Sequence, residues 1–241
     1  MLTRGRHLVA VCALIGALTA TWVASATTLG GVSAVSLSSF NLVSTTSAPG
    51  VVTCDDFSRA AATGSALNSR PVQLPANCGS VVWTSHLGTW TITTGQLAAT
   101  TANATATIAA GQTQISAEAT ILNANGSSRI AGVAIDHSGS TRIYLAAALS
   151  GPGTAQLRLV NGSTVTTLAT AAATIGASAT LRITRIGNVV TVAVDGALVI
   201  TYTLTAAQVT TLSGGTRVGL YWNSGSTIRF TTILATQPTS P

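Results

Sequence analysis

An all-β sandwich or barrel is what this 241-residue sequence predicts, and three observations carry the expectation. Apolar residues recur at every second position in short runs, turn signals separate the runs at intervals of about 8 to 14 residues, and the composition favours strands. Charged residues make up only 7% of the chain and hydrophobic ones 46%, with Thr, Val, Ala and Ser abundant.

Taken from the N-terminus, Arg4, Arg6 and His7 precede an apolar run from Leu8 to Val23, and Ala24-Ser25-Ala26 supplies the small-x-small pattern of a signal peptidase site. The expectation is a signal helix over 1–26, cleaved after Ala26, and hence a secreted or cell-surface protein. A membrane connection arises only if that helix is retained. Cys12 follows Val11, where a lipoprotein signal needs a small residue, so it leaves with the signal. Residues 27–50 are rich in Ser, Thr and Gly and read as a linker, within which Val35, Leu37, Phe40 and Leu42 allow one strand.

From 51 to 235 runs one domain of roughly 185 residues, long enough to bury about 70% of its unfolded surface. Ile115, Ala117, Ala119 and Ile121 share one strand face, and Ile143, Leu145, Ala147 and Leu149 share another. Asn125-Gly126, Ser138-Gly139, Asn161-Gly162, Gly187-Asn188 and Asp195-Gly196 mark hairpins, because Gly and Asn tolerate positive φ. At the last of these, a three-residue loop from Val194 to Gly196 is expected, placing Val192 opposite Leu198 and Val190 opposite Ile200. Only Ala206 to Leu212, after Thr205 as N-cap, reads as helix. Residues 236–241 form a tail with neither a membrane span nor a wall-sorting signal.

Removal of the signal leaves Cys54 and Cys78, which are expected to pair in an oxidising compartment. In the chain-entropy picture such a bridge contributes about 3.5 kcal/mol.

The order of motifs resembles the concanavalin A-like, or laminin G-like, jelly rolls of bacterial secreted proteins. The marks are Asp55-Asp56-Phe57-Ser58-Arg59, Gly88-Thr89-Trp90, Ala131-Gly132-Val133, Asp195-Gly196, and Val218-Gly219-Leu220-Tyr221 ahead of Phe230. The resemblance implies two facing antiparallel sheets of a kind used in sugar binding or adhesion. The chain departs from it at Thr231 and Thr232, where relatives often carry Asp, so a calcium site is not expected. The alternating Glu and Asp of the glycoside hydrolases among the relatives are also missing.

Five carboxylates serve the whole chain: Asp55, Asp56, Glu118, Asp136 and Asp195. Asp195 belongs to its turn, Asp136 is expected to cap the turn before His137, and Glu118 has no near partner in sequence. No nucleophile elbow and no His or Cys ligand spacing occurs, so neither catalytic nor metal residues are assigned and no cofactor is expected. All basic side chains are Arg, giving a net charge of +6, but they are spread about one per strand instead of clustering, which excludes a nucleic-acid partner.

Binding is the remaining function. Opposite the core positions, alternation places Arg142, Tyr144, Arg158, Arg182, Arg217 and Tyr221 outward, a combination suited to a polysaccharide or cell-surface glycan, including an acidic one. Trp222 and Trp90 fall on the core side. The alternative is a structural fibre or coat subunit that self-associates by donating the strand within Val32 to Val43.

Overall fold

The computed structural model describes residues 19–22, 40–43, 50–57, 65–68, 71, 82–93, 95–225 and 227–238. Residues 1–48 and 49–241 form two separate units. In the first, β1 (Thr19–Trp22) pairs antiparallel with β2 (Phe40–Val43), Trp22 opposite Phe40. β2 covers Phe40 and Leu42 of the strand expected in the linker, while Val35 and Leu37 lie outside the described residues. Over Thr19–Trp22 the backbone is a strand where a signal helix is expected, in keeping with its β-branched and aromatic residues; the rest of that expected helix lies outside the described residues.

The second unit is almost wholly β. Its strands are β3 (Val51–Asp55), β4 (Ser65–Ala66), β5 (Thr84–Leu87), β6 (Trp90–Thr93), β7 (Gln96–Ala99), β8 (Ala104–Ala109), β9 (Ser116–Leu122), β10 (Ile130–His137), β11 (Ile143–Ser150), β12 (Thr154–Asn161), β13 (Thr164–Ala172), β14 (Ser178–Ile186), β15 (Val189–Val194), β16 (Ala197–Thr203), β17 (Arg217–Ser224) and β18 (Arg229–Thr236). Helix α1 (Ala206–Thr211) joins β16 to β17. One sheet runs β13-β12-β11-β10-β17-β8-β5; the other runs β16-β15-β14-β9-β18-β7-β6-β4, with β3 also on β18. All the pairings are antiparallel, giving a two-sheet jelly-roll sandwich.

Alternation builds the core as expected. Ile115, Ala117, Ala119 and Ile121 face inward from β9 and the turn before it, and share one core with Leu145, Ala147 and Leu149 from β11. Trp90 packs tilted on Phe230 at 6.1 Å, and Trp222 joins the same core with Val218 and Leu220. At the entry to the domain, Asp55 is buried but satisfied: its Oδ2 accepts from Trp83 Nε1 at 2.7 Å and its Oδ1 from the Phe57 amide at 2.8 Å. The acidic pair in the opening motif is thus partly structural. Cys54 is half-buried on β3, while Cys78 lies outside the described residues.

Helix α1 begins at Thr205, whose side chain accepts from the Gln208 amide while Gln208 returns a bond to the Thr205 amide. This reciprocal capping box explains why so short a helix starts where it does.

Two turn expectations are corrected. Asn125-Gly126 does not close a hairpin, because β9 and β10 lie in different sheets and the segment crosses between them. The Asp195-Gly196 loop has two residues, both at positive φ, with Val194 opposite Ala197. A bulge at Val199 then shifts the register, so that Val192 faces Ile200 and Val190 faces Tyr202. The bulge restores to the core the face that a two-residue loop alone would have lost, and Leu198 is left 63% exposed.

Candidate functional site

The side chains of interest stand on the face of the seven-stranded sheet that points away from the core. On β10 and β11 this face is made mostly of small residues, Gly132, Ala134, Ala146 and Ala148, which leave room above the backbone. Tyr144 from β11 and Tyr221 from β17 occupy that room in a small apolar cluster with Val160, separate from the main core. A Cβ at Gly132 would overlap the carbonyl of Ala147, so glycine there is required by close strand approach.

One β-bulge organises the polar end of this face. Asp136 has φ of 54° and the pairing of β10 with β17 slips between Ala134 and His137. Two consecutive side chains consequently leave in different directions. Asp136 reaches Arg185 on β14 of the other sheet, Oδ2 accepting from Nη1 at 2.6 Å, and is not the turn cap expected from sequence. His137 instead turns to the outer face, where it stacks on Tyr144 at 4.9 Å and on His86 at 4.2 Å. Gly215 makes the bulge feasible, since any Cβ there would overlap the Asp136 carbonyl.

The result is a ladder of rings, His86, His137, Tyr144 and Tyr221, bordered by arginines. Arg217 holds Thr107 Oγ1 at 2.7 Å and Thr84 Oγ1 at 2.8 Å, and Thr107 also bonds His86 Nε2 at 2.7 Å. Arg158 donates to Tyr221 Oη at 3.1 Å and to Gln156 Oε1 at 2.8 Å. Tyr144 Oη shares a 3.1 Å bond with Thr105. Arg142, at φ of 54° in the hairpin, stands close enough for its charge to act on both histidines.

Burial and these cations act in the same direction on the histidines. His137 is pushed down to about 3, by burial first and then by the charges of His86, Arg217 and Arg142. Burial, Arg217 and Arg142 push His86 down to about 4. Both rings are therefore neutral at pH 7. His137 Nδ1 accepts from the Gly139 amide at 2.9 Å, which places the proton of the neutral ring on Nε2. Burial pushes Tyr144 up to about 12 and lowers Arg217. Across the sheet, burial pushes Asp136 up to about 6 against the opposing bond and charge of Arg185.

Of the residues expected outward, Arg142, Tyr144, Arg158, Arg217 and Tyr221 share this sheet. Arg182 does not: it sits on β14 in the other sheet, 4.0 Å from Glu118. The expectation of exposed rings is also corrected. Tyr144 and Tyr221 are only 1% and 2% exposed, so they brace one another and the arginines instead of presenting flat faces. The accessible groups are Arg142, His86, Arg217 and Gln156, all half-buried. His86 and His137 were not read as site residues from sequence. Nothing in a 51-residue separation marks them as a stacked pair, and the bulge that aims His137 breaks the alternation that would have located it.

Among the described residues, no three His, Cys, Asp or Glu side chains come together as metal ligands. No protein-family model matches the chain, and no curated protein does. Among solved structures it is similar to the GH43 protein BlXynB of Bacillus licheniformis, with a TM-score of 0.52 and 17% identity over 77% of this chain and 39% of that one. It also aligns with the carbohydrate binding module CBM66 of Bacillus subtilis, at TM-score 0.48 and 16% identity over 64% of this chain and 92% of that one. The galectin LEC-6 of Caenorhabditis elegans gives 0.39 and 13%, over 52% and 84%. Two antiparallel sheets in this order, together with the first of these likenesses, make the fold a concanavalin A-like jelly roll.

Proposed function

We propose that the protein is a secreted, non-catalytic carbohydrate-binding module whose site is the outer face of the seven-stranded sheet. The supporting observation is that Arg142, Arg158 and Arg217 converge there on a braced ladder of four rings. Guanidinium forks suit sugar hydroxyls and acid groups, and the hydrogen bonds that hold Arg158 and Arg217 fix their position before ligand arrives. Four of the five carboxylates are engaged within the fold, which does not support a hydrolase: Asp55 is bonded to Trp83, Glu118 lies by Arg182, Asp136 is held by Arg185, and Asp195 accepts from the Thr180 amide at 2.7 Å. Cleavage after Ala26 and a Cys54 to Cys78 bridge belong to the same reading, as features of an exported domain. A glycan-binding screen of the wild type, Arg142→Ala and Tyr144→Ala tests it. Retention of a sugar that both substitutions weaken is expected; no retained sugar, or binding indifferent to both, refutes the assignment.

A fibre or coat subunit is a second reading, favoured by one observation. The partner of β2 is β1, which lies ahead of the expected cleavage site, so cleavage would leave Phe40–Val43 without its paired strand and open to a neighbour. Size-exclusion of the mature protein with and without residues 27–50 decides it, since strand donation requires polymers that vanish on truncation.

A further inference from the structure

The cations of this face lack counter-charges. Among the described residues the ion pairs are Arg182 with Glu118 and Arg185 with Asp136, both away from the ring ladder. Arg217 is held by two threonine hydroxyls and the Thr107 carbonyl, Arg158 by a glutamine and a tyrosine, and neither reaches a carboxylate. The nearest acid in sequence, Asp136, is carried through the sheet to Arg185 by the bulge that sends His137 the other way.

Donors are also left over. His137 is fully buried, yet its Nε2, the protonated nitrogen of the neutral ring, has no hydrogen-bond partner. Arg142 Nε is buried and unpartnered as well. A buried donor without an acceptor is destabilising, and a partly desolvated cation without an anion more so. Two orphan donors beside two guanidinium groups, with no acceptor supplied by the fold, form an arrangement that an oxyanion completes.

We propose that His137, Arg142, Arg217 and His86 form an oxyanion site at the bulged end of the sheet, which takes the carboxylate or sulfate group of an acidic glycan. That the anion is carried by a glycan rests on the function proposed above; the oxyanion chemistry stands on the orphan donors and unpaired arginines. The acid group seats at the half-buried Arg142 and Arg217, the fully buried His137 Nε2 being reached only as the side chains that cover it shift, and the neighbouring sugar extends along the sheet toward Gln156 and Arg158.

The test compares polygalacturonate with its fully methyl-esterified form, and dextran sulfate with dextran, by affinity electrophoresis of the whole chain and of Arg142→Gln and His137→Phe. Binding to a charged polymer, absent for its neutral counterpart and weakened about tenfold or more by Arg142→Gln, is expected; loss of one positive charge from a non-specifically basic surface would weaken it far less. Equal binding of charged and neutral polymers, or charged-polymer binding unchanged in both variants, overturns the oxyanion site while leaving glycan binding intact. Inorganic sulfate at low millimolar concentration supplies a readout independent of sugar. If it raises Tm of the wild type and not of Arg142→Gln, the site stands even where no polysaccharide is retained; if it raises neither, or both alike, the site falls.

Discussion

Acid should destabilise this domain through His137, and the size of the effect follows from its burial. The ring is pushed down to about 3 from an ordinary 6.5, so above pH 6.5 it is neutral in both folded and unfolded chains and contributes no pH dependence. Between pH 6.5 and 3 the unfolded chain takes up a proton that the folded chain refuses, and stability falls as pH falls. From pH 7 to pH 5 this amounts to about 2 kcal/mol, or about 4 to 8 °C in Tm for a domain of this size. Asp136, pushed up to about 6, acts oppositely: the folded chain binds its proton first, so between pH 6 and 3.8 acid favours the fold. His86 moves with His137, more weakly because it is half-exposed. The difference between wild type and His137→Phe cancels most of these shared contributions. The phenyl ring preserves stacking between His86 and Tyr144 and loses the Gly139 bond, at about 1 kcal/mol at pH 7. Thermal unfolding from pH 7 to pH 4 should show the variant with the shallower slope, and His137→Gln serves if phenylalanine will not fold. Parallel slopes in both variants, or an imidazole found protonated by NMR at pH 5, would refute the reasoning.

Three further outcomes are expected. Thr205→Ala removes the capping box of α1 and should lower Tm by a few degrees, corresponding to about 1 kcal/mol, with the strand signal in circular dichroism unchanged. Gly132→Ala forces a methyl into the Ala147 carbonyl between two central strands; soluble yield should collapse, whereas Gly162→Ala, with open space around its Cβ position and a strained φ of 63°, should fold with a modest loss of stability. Arg185→Met strands the buried Asp136 carboxyl and should cost about 3 kcal/mol at pH 7 by urea unfolding, an amount that Asp136→Leu in the same chain should largely restore.

Sequence reading reached what local alternation and local turn chemistry determine. Ile115 to Ile121 declare a buried face by period alone, Trp222 follows Val218 and Leu220 inward, and Thr205 announces a helix that then forms. It did not reach what depends on strand order. Outward placement of Arg182 is correct for its strand, yet which sheet that strand joins is set by pairing with β9 some 60 residues earlier, for which the residues carry no mark. Bulges were the second obstacle. At Asp136, Val199 and His86 a single additional residue reverses which side chains face inward, and the parity rule that reads the rest of the chain fails from that point. The candidate site is built around two of these three interruptions, which is why its arginines were legible and its histidines were not.

The same interruptions bear on how the sheet edges meet another chain. Each sheet ends in strands that would offer unpaired amides and carbonyls to another chain. At the outer margins of the seven-stranded sheet, β13 carries an additional residue at Leu168 and β5 one at His86. In the nine-stranded sheet β16 is broken at Val199, and β4 at the other margin has only two residues. None of these margins is a long, flat template, and bulged or very short edge strands are the means by which β proteins resist lateral growth. A chain with 7% charged residues, no lysine and a single glutamate has little with which to discourage such growth and here uses backbone geometry in their place. Deletion of Val199 from β16 or Leu168 from β13, which regularises the strand, is therefore expected to leave the sandwich folded and to turn it aggregation-prone.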